Sequence, residues 1–512
     1  MNRFNIRMPP HMTVTRVEHF IAGKRIADKG EGQTRTIINP ATGESLGEVR
    51  MDNLQSAEAA VQAALEAFPS WAATPVGERV QCLFRYKQIL EDHFEELASM
   101  IVAEHGKTMA EARGDVRRGI DCVEFACAAP VMMMGKSLPQ IAVSSSFCRT
   151  TDEGNLRGVP IDSAAERVPL GVCVGITPFN FPVMVPLWMW PMAIACGNTF
   201  VLKPSEKVPL SALREVELAH EAGLPPGVLN VVVGGAKVVD HLITHTDVKA
   251  VSFVGSSKVA QHVFATATQA GKRAQCMGGA KNYMVIMPDA NQDAVIDGVI
   301  GSAFGNTGQR CLAGSVAIAV GNAGDWLIPK LKEVAGRIKV AAGNEPGAGM
   351  GPVIDETSKQ RIESFIRFGE EDGAKLVLDG RAASHRTPHA GCFIGPTIFD
   401  HVRPGMRIAD EEIFGPVLSI MREETLDAAL ATMNRSRYGN MAVIFTSSGY
   451  DAHRFKSHAQ AGMIGVNVGV PAPMAVFPFA GWKQSFFGDL HANGEDAVRF
   501  CTEYRIVVTR WL

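Results

Sequence analysis

VPLGVCVGITPFNFPVMVPLWMWPMAIACGNTFVL, residues 168–202, contains no charged side chain. A stretch this long could cross a membrane, but glycine, proline and asparagine interrupt it and leave pieces too short to span a bilayer. We therefore divide it into a strand at 171–176, an apolar helix near 183–195 and a strand at 199–202. Continuous apolar strands on either side of a helix predict a parallel sheet that is buried on both faces.

Strands and helices continue to alternate along the chain. Strand-like runs at 227–233 and 250–254 alternate with helical patterns at 236–244 and 256–270, so residues of about 168–280 are predicted to form a doubly wound α/β unit. Outside it, helices are expected at 53–68, 76–105, 108–131, 289–304, 323–339 and 357–372, and strands at 316–320 and 376–378, which indicates a second α/β unit. A strand-like tail at 505–511 is expected to pair with a neighbouring sheet.

Composition restricts the class of protein. The chain has 512 residues, 46% of them hydrophobic, and a formal net charge of −3, which supports two or more domains and disfavours nucleic acid as a partner. The ten cysteines form no CxxC pair, so we expect a reducing compartment and no metal site. Residues 1–12 lack an apolar run of signal-peptide length. We expect a cytoplasmic protein without a membrane partner, with a short basic transit segment as the alternative.

Cys311 lies in FGNTGQRCLAGS, residues 304–315, where small residues surround one thiol that follows Arg310. An attacking cysteine needs positive charge or backbone N–H groups to favour the thiolate, and it needs space for a carbonyl carbon. The segment offers both, so Cys311 is the candidate nucleophile. The alternative is a buried, unreactive cysteine beside glycines that only turn the chain.

Two predicted strand ends indicate a dinucleotide site. VGSS at 254–257 follows a strand and opens a helix, so backbone N–H groups near Gly255 and Ser256 could receive a pyrophosphate, although no complete GxGxxG pattern is present. Lys203 and Glu206, at the end of another strand, could bind a ribose diol. A carboxylate there would repel a 2′-phosphate, which favours NAD over NADP. The alternatives are an ordinary βα turn and a solvated loop.

Taken together, six ordered motifs resemble those of the aldehyde dehydrogenase superfamily. They are TPFNFP (177–182), KPSE (203–206), FVGS (253–256), GQRC (308–311), EEIFGP (411–416) and PFAGWK (478–483). A more specific resemblance is to its CoA-acylating methylmalonate-semialdehyde (malonate-semialdehyde) dehydrogenase branch. That resemblance rests on AKN (280–282), MPDA (287–290), GVPAPM (469–474) and SFFG (485–488).

The resemblance implies an α/β fold divided into domains. A Rossmann-type NAD-binding domain is expected at 13–142 and 168–280, an α/β catalytic domain at 281–484, and a small β oligomerisation element at 143–167 and 485–512. Superfamily members use a hairpin in the region of 143–166 for subunit assembly, which implies a homodimer or homotetramer. This segment is longer here than the branch normally carries.

The resemblance also implies roles for individual residues. Cys311 would add to the aldehyde carbon, the Asn180 amide and the Cys311 N–H would hold the oxyanion, and hydride transfer to NAD would leave an acyl thioester. The remaining cofactor contacts that it implies are Lys203, Glu206, Gly255 and Ser256 with adenosine and pyrophosphate, Glu412 with the nicotinamide ribose, and Phe414 beside that ribose. Phe179 and Phe479 are implied to be walls of the substrate tunnel, and Phe179 is also counted with the cofactor contacts. Each aromatic residue could equally fill a core.

One departure from the superfamily pattern concerns the acyl acceptor. Hydrolytic members carry Glu-Leu-Gly-Gly-Lys, whose glutamate activates water, but the corresponding run here is QCMGGAK at 275–281. Cys276 stands at the glutamate position, and we interpret it as a spacer. Without a general base, attack by water is slower by roughly 10²- to 10⁴-fold, so the thioester should persist until coenzyme A accepts the acyl group. The alternative is a hydrolytic enzyme that recruits another base.

The branch acts on a 3-oxo acid, malonate semialdehyde or its 2-methyl homologue, and the implied products are acetyl-CoA or propionyl-CoA and CO2. A guanidinium matches the two oxygens of the substrate carboxylate, so Arg310, beside the nucleophile, and Arg118 are the candidate ligands. Alternatively, Arg310 only lowers the pKa of the thiol and Arg118 pairs with an acid such as Asp115. The two semialdehydes are not distinguished, because one methyl group is worth only about 1–3 kcal/mol.

Overall fold

A computed structural model describes residues 16–27, 32–150, 156–382 and 391–510. In the first half, the elements are β1 (His19–Ile21), β2 (Lys24–Ile26), β3 (Thr34–Ile38), β4 (Ser45–Arg50), α1 (Leu54–Ala73), α2 (Val76–Asp92), α3 (Phe94–His105), α4 (Met109–Ala126), α5 (Ala129–Met132), β5 (Lys136–Thr150), β6 (Leu156–Pro169), β7 (Val172–Ile176), α6 (Met184–Ala195), β8 (Thr199–Lys203), α7 (Pro209–Glu221), β9 (Leu229–Val231), α8 (Ala236–Thr244), β10 (Val248–Val254), α9 (Ser257–Gln269) and β11 (Arg273–Met277).

In the second half, the elements are β12 (Asn282–Ile286), α10 (Gln292–Phe304), β13 (Gly314–Val320), α11 (Ala323–Gly336), α12 (Glu356–Glu371), β14 (Lys375–Leu378), β15 (Thr397–Asp400), α13 (Arg407–Asp410), β16 (Val417–Glu423), α14 (Leu426–Asn434), β17 (Tyr438–Gly439), β18 (Met441–Phe445), α15 (Gly449–His458), β19 (Met463–Val466), β20 (Trp482–Lys483), β21 (Phe486–Phe487), α16 (Gly494–Cys501) and β22 (Thr502–Arg510).

The first large sheet has the order β2-β1-β9-β8-β7-β10-β11-β21. Its five central strands, from β9 to β11, are parallel, whereas the outer pairings of β1, β2 and β21 are antiparallel. Every residue of β7 and β8 is buried, as expected for parallel strands that are covered by helices on both faces. The predicted doubly wound unit is therefore confirmed, including the division of 168–202 into strand, helix and strand.

The second large sheet has the order β14-β15-β16-β13-β12-β18-β19. All of its neighbouring strands are parallel except β14 and β15. Two α/β sheets of this kind confirm the predicted fold class. Both sheets contribute to the same site, because loops that leave their strands meet around Cys311.

Two predicted helices are divided where the sequence pattern suggested continuity. The helix expected at 76–105 breaks at His93, which ends α2 and begins α3. The helix expected at 108–131 ends at Ala126, and the short α5 follows with a proline in its first turn. Pro130 has no backbone N–H to continue the earlier helix, and its fixed φ suits the start of a new one.

The C-terminal tail pairs with β6 from Thr502 to Arg510, which confirms the expected pairing of the described part of the tail. β22, β6 and β5 form a three-stranded sheet, whereas β21 extends the first large sheet. β5 begins before the expected boundary at 143, and β21 lies after the boundary at 485, so neither boundary coincides with a change of sheet. The division into domains stays a prediction, and residues 1–12, 151–155 and Trp511 lie outside the described residues.

Within the described ranges, the helices are too short or too polar to cross a bilayer. This agrees with the reading of 168–202 as separate elements, since α6 covers only Met184–Ala195. The helix is apolar on all sides because it is buried between the first sheet and α4.

A left-handed turn precedes the candidate nucleophile. After α10 the backbone of Asn306 and Thr307 adopts φ of 52° and 55°, which is an uncommon conformation for a β-branched residue. Gly308 continues the turn with φ +69°, and a Cβ there would collide with the carbonyl group of Gly415. The turn therefore brings two loops into direct backbone contact, and only glycine permits that contact.

We expect Gly308→Ala to destabilise the protein more than Gly347→Ala does. Gly347 has a similar φ of +73° but no atom within 4 Å of the position that a Cβ would take, so both variants carry the same backbone strain of about 1 kcal/mol. Only Gly308→Ala adds a steric clash, which should cost roughly 2 kcal/mol more. Denaturant midpoints of the two variants measure the difference, and equal losses would contradict a steric requirement at Gly308.

Candidate functional site

Two cavities meet at Cys311. The larger cavity has a volume of about 700 Å³ and the smaller one about 410 Å³. Phe181, Trp188, Cys311 and Phe479 line both of them. A reagent in either cavity can therefore approach the same thiol, and aromatic side chains surround the point where the cavities join.

The thiol of Cys311 is neutral in this environment. Burial and, to a smaller extent, the Glu412 carboxylate raise its pKa to about 12, because the N–H groups of Cys311 and Leu312 and the Arg310 guanidinium offset only part of these effects. The expected activation by Arg310 therefore does not dominate, because loss of solvation outweighs one nearby positive charge. Formation of the thiolate requires a change in the electrostatic environment of the sulfur.

Asn180 is held next to the nucleophile loop. Its side-chain Nδ2 donates to the Gln309 carbonyl at 2.9 Å, and its backbone carbonyl accepts from Lys107 Nζ at 2.7 Å. Lys107 also pairs with Asp115 at 2.9 Å, and both side chains are fully buried. Asp115 is therefore the partner of Lys107, and the alternative in which it pairs with Arg118 is wrong.

The carboxyl ends of β8 and β10 place polar groups in the larger cavity. Lys203 Nζ lies 3.2 Å from Glu206 Oε2, and Arg35 adds a second cation 3.7 Å from the other oxygen. Burial would raise the pKa of Glu206, but these cations hold it below its ordinary value. Ser256 is the N-cap of α9, and its side chain makes no capping hydrogen bond. The first N–H groups of α9 are thus available to an anion beside Gly255.

Glu412, Phe414 and Phe179 form another part of the wall of the larger cavity. Glu412 Oε1 accepts from the Ala280 N–H at 2.9 Å, and burial raises the pKa of Glu412. Phe414 has a left-handed φ of 58° and contacts Phe179 edge-on, with 5.8 Å between ring centroids. The structure thus brings together all the cofactor-binding residues predicted from the sequence.

The two candidate arginines line the smaller cavity. Arg310 Nη2 lies 3.3 Å from Glu111 Oε1, and Nη1 donates to the Gly301 carbonyl at 3.3 Å. For Arg118, no carboxylate among the described residues lies within ion-pair distance. Burial raises the pKa of Asp121 overall, and Arg118 opposes that effect. Arg118 is consequently a half-buried guanidinium with unused donors in the cavity wall.

Several residues of the cavity walls were not predicted from the sequence. Phe181 lies in the motif at 177–182, but nothing there showed that it lines both cavities. Trp188, on α6, packs on Phe479 with 4.7 Å between ring centroids. The loop that carries Val470, Ala472, Pro473 and Ala475 closes the smaller cavity, and its only sequence signal was the branch-specific motif at 469–474.

Cys276 lies in β11 and is completely buried in an apolar cluster. Burial raises its pKa to about 12, and it lines neither cavity. Its buried position agrees with the interpretation of Cys276 as a spacer. The place where hydrolytic superfamily members are expected to carry their glutamate is therefore filled by a buried, neutral thiol.

Glu58, His241 and His245 form a group of possible metal ligands among the described residues. Nε2 of each histidine lies 3.1 Å from Glu58 Oε2. His245 Nδ1 accepts from the Asp247 N–H at 3.2 Å, so the proton of the neutral ring is on Nε2, facing the carboxylate. Hydrogen bonds between α1 and α8 therefore account for this group, which lines neither cavity.

Comparison with known proteins extends over nearly the whole chain. The model of the aldehyde dehydrogenase family matches residues 27–507. The chain belongs to the aldehyde dehydrogenase family. Malonate-semialdehyde dehydrogenase 3 of Geobacillus kaustophilus is 51% identical over 501 residues, which cover 98% of this chain and 100% of that relative.

Two solved structures of the aldehyde dehydrogenase family have the same fold. Methylmalonate-semialdehyde dehydrogenase (DddC) from Oceanimonas doudoroffii has a TM-score of 0.91 and 44% identity, and the match covers 98% of this chain and 99% of the other. A putative methylmalonate-semialdehyde dehydrogenase from Sinorhizobium meliloti 1021, complexed with NAD, has a TM-score of 0.91 and 43% identity, with 97% and 98% covered. The resemblance to this oxidoreductase family inferred from the motifs is thus confirmed.

We expect Glu412→Gln to accelerate alkylation of Cys311. The Glu412 carboxylate raises the pKa of the thiol, so removal of its charge should lower that pKa and increase the thiolate fraction at a fixed pH below it. Since one pKa unit changes that fraction tenfold, the rate should rise by roughly two- to tenfold at pH 9. Mass spectrometry after timed iodoacetamide treatment measures it. Glu206→Gln, in the same cavity, is the control, and an unchanged or slower rate in Glu412→Gln would contradict the assignment.

Proposed function

We propose that the protein is an NAD-dependent, CoA-acylating semialdehyde dehydrogenase. It would oxidise methylmalonate semialdehyde or malonate semialdehyde through a thioester on Cys311, and release CO2 with propionyl-CoA or acetyl-CoA as product. The observation that carries the proposal is the position of Cys311 in the wall shared by two cavities. Relatives named malonate-semialdehyde dehydrogenase and methylmalonate-semialdehyde dehydrogenase match 98% of the chain, which supports the substrate class.

The larger cavity fits a dinucleotide such as NAD. The open N-terminus of α9, next to Gly255 and Ser256, suits a pyrophosphate. Glu206, held ionised by Lys203 and Arg35, suits a ribose diol and would repel a 2′-phosphate. When bound, NAD supplies the acceptor for a hydride. The roles of Glu412 at the nicotinamide ribose and of Phe414 and Phe179 beside it are part of this proposal.

The residues around Cys311 support the first chemical steps. Once the Cys311 thiol has lost its proton to solvent, the thiolate adds to the aldehyde carbon, and the carbonyl oxygen becomes an oxyanion held by Asn180 Nδ2 and the Cys311 N–H. One donor of this kind is typically worth about 3 kcal/mol of activation free energy. Departure of hydride from the same carbon toward the larger cavity leaves a thioester on the sulfur. Lys107 holds the backbone carbonyl of Asn180, and Nδ2 donates to the Gln309 carbonyl, so the side-chain amide is already oriented before the oxyanion forms.

The smaller cavity suits the substrate carboxylate. Arg118 has unused donors there, and Arg310 lies beside the nucleophile. Because the carboxylate is β to the thioester carbonyl, loss of CO2 leaves an enolate, which the oxyanion donors stabilise until the carbon is protonated. Phe479 and Trp188 shape the junction through which the aldehyde reaches the sulfur.

A thiol acceptor completes the proposed reaction. When bound, coenzyme A supplies a thiolate that attacks the thioester carbonyl, takes the acyl group and releases the Cys311 thiolate. Water is a poor competitor because Cys276 stands in place of a general base. A hydrolytic aldehyde dehydrogenase is the second candidate, since the Glu412 carboxylate is near enough to raise the thiol pKa and could activate water.

The proposed assembly is a cytoplasmic homodimer or homotetramer. The three-stranded sheet of β22, β6 and β5 exposes large apolar side chains, among them Leu138, Ile506 and Val508, each more than half exposed. Exposed apolar groups concentrated on one sheet are typical of a protein interface. The membership of 143–167 and 485–512 in one oligomerisation element remains part of the same proposal.

We expect the acyl acceptor to control turnover. Without CoA, mixing enzyme, NAD and either semialdehyde should give a burst of about one NADH per active site, followed by a rate lower by roughly 10²-fold or more, because the thioester lacks a base that activates water. With CoA the rate should be sustained. Stopped-flow absorbance measures both phases, Cys311→Ser should abolish the burst, and an undiminished steady rate without CoA would select the hydrolytic candidate.

We expect Arg118→Leu and Arg310→Leu to weaken binding of the substrate carboxylate. Loss of a charge-assisted hydrogen bond, worth about 1.5–3 kcal/mol, should raise KM for malonate semialdehyde by roughly 10- to 100-fold and leave an uncharged aldehyde little affected. Arg117→Leu is the matched control, because Arg117 is adjacent but pairs with Glu91 outside the cavity. Equal effects on the charged and uncharged aldehydes would refute the carboxylate assignment.

A further inference from the structure

Two adjacent residues at the start of β12 hydrogen-bond to two different segments of the site. We propose that Lys281 and Asn282 are positioning residues: Lys281 holds the segment that carries Glu412, and Asn282 holds the loop that carries Cys311. The proposal rests on the proposed function only in its use of NAD as the ligand of the larger cavity. Neither residue lines either cavity, so each acts through another residue.

Lys281 is a buried lysine whose amino group donates to one short segment. Its Nζ donates to the Ile408 carbonyl at 2.7 Å and to the Glu411 carbonyl at 2.9 Å, and its side chain is almost completely buried. A buried ammonium is costly unless its donors are satisfied, and burial lowers the pKa of Lys281 to about 7, with Glu412 partly opposing that effect. These contacts fix the backbone directly before Glu412.

The same segment is held at three further points. Arg361 Nη2 donates to the Glu412 carbonyl at 2.6 Å, and Nη1 donates to the Ile413 carbonyl. The Ala280 N–H holds the Glu412 carboxylate, and a Cβ at Gly279 would collide with Glu412 Oε2. Gly279 thus leaves room for the carboxylate and Ala280 binds it, while Lys281 holds the backbone before Glu412 and Arg361 holds the carbonyls of Glu412 and Ile413.

Both the nitrogen and the oxygen of the Asn282 side-chain amide form hydrogen bonds, the nitrogen to the nucleophile loop and the oxygen to β18. Nδ2 donates to the Cys311 carbonyl at 2.8 Å and to the Ala313 carbonyl at 2.9 Å, and Oδ1 accepts from the Met441 N–H at 3.1 Å. Asn440 Nδ2 donates to the same Cys311 carbonyl at 2.9 Å. Two amides therefore fix the orientation of a single peptide group.

Fixing the Cys311 carbonyl also fixes the Leu312 N–H. In a trans peptide the C=O and the following N–H point in opposite directions within one plane. The Leu312 N–H is one of the two backbone donors that lower the pKa of the Cys311 thiol. Asn282 thus acts on the sulfur through the peptide between Cys311 and Leu312, which explains why a buried asparagine belongs directly after Lys281.

The test uses two readouts that need neither semialdehyde nor CoA. Calorimetric titration measures the affinity for NAD, which reports on the position of the Glu412 segment. The pH dependence of iodoacetamide alkylation measures the pKa of the Cys311 thiol. Lys281→Met should weaken NAD binding by roughly fivefold or more. Displacement of the Glu412 carboxylate should reduce its effect on the thiol pKa, so alkylation should be unchanged or faster, not slower. Asn282→Ala should raise the thiol pKa, slow alkylation by roughly fivefold or more, and leave NAD affinity within about twofold.

The chain offers a matched control for each variant. Lys272 is a buried lysine whose Nζ donates to the His245 and Val248 carbonyls. Asn198 is a buried asparagine whose Nδ2 donates to two carbonyls. Both lie outside the cavity walls, so Lys272→Met and Asn198→Ala should lose comparable structural hydrogen bonds without changing either readout.

The proposal is supported if Lys281→Met weakens NAD binding without slowing alkylation and Asn282→Ala slows alkylation without weakening NAD binding. Equal changes in both readouts, or changes matched by the controls, would show general loss of structure and overturn it. If Lys281→Met or Asn282→Ala does not fold, Arg361→Gln and Asn440→Ala remove other donors to the same two segments and should give the same separation. Failure of CoA-dependent turnover in the unmodified enzyme would refute the proposed function and leave these readouts interpretable.

Discussion

Cys311 lies in a wall shared by two cavities, and the packing around it has to keep both of them open. Phe181, Trp188 and Phe479 form the rest of that wall. Rigid aromatic side chains suit this place because they exclude water from the junction without filling it. The left-handed turn through Gly308, packed against the Gly415 carbonyl, sets where the sulfur emerges. Access from two sides is what allows one thiol to meet an aldehyde and a hydride acceptor together.

Buried cations acting on backbone carbonyls maintain this geometry. Lys107 holds the Asn180 carbonyl and is itself neutralised by Asp115. Lys281 holds the carbonyl of Glu411. In both cases the amino group contacts the backbone of a segment that carries a residue of the cavity wall. The hydrogen bonds that orient this segment also offset the electrostatic cost of burying the amino group. The thiol receives less assistance, and burial together with Glu412 keeps it neutral.

Much of the fold and the chemical residues could be predicted, because the informative signals were local. Apolar strands that alternate with helices indicated parallel sheets, and polar residues at strand ends, such as Lys203 and Glu206, indicated a cavity at the carboxyl edge. Local signals were insufficient elsewhere. The break between α2 and α3 occurs at His93, where no glycine or proline indicates the end of a helix. Trp188 lines both cavities only because α6 packs against residues nearly three hundred positions away in the chain.

The sequence by itself determined the alternation of elements, the identity of the thiol and the absence of a carboxylate at position 276, because each follows from residue type and near neighbours. Only the tertiary structure decided how the charged groups are paired. Asp115 pairs with Lys107, Arg310 lies within ion-pair distance of Glu111 and still lines the smaller cavity, and Arg118, which lines the same cavity, has no ion-pair partner among the described residues. Charge pairing depends on distances between atoms that are remote in sequence, and only the packing of the two sheets brings those atoms together.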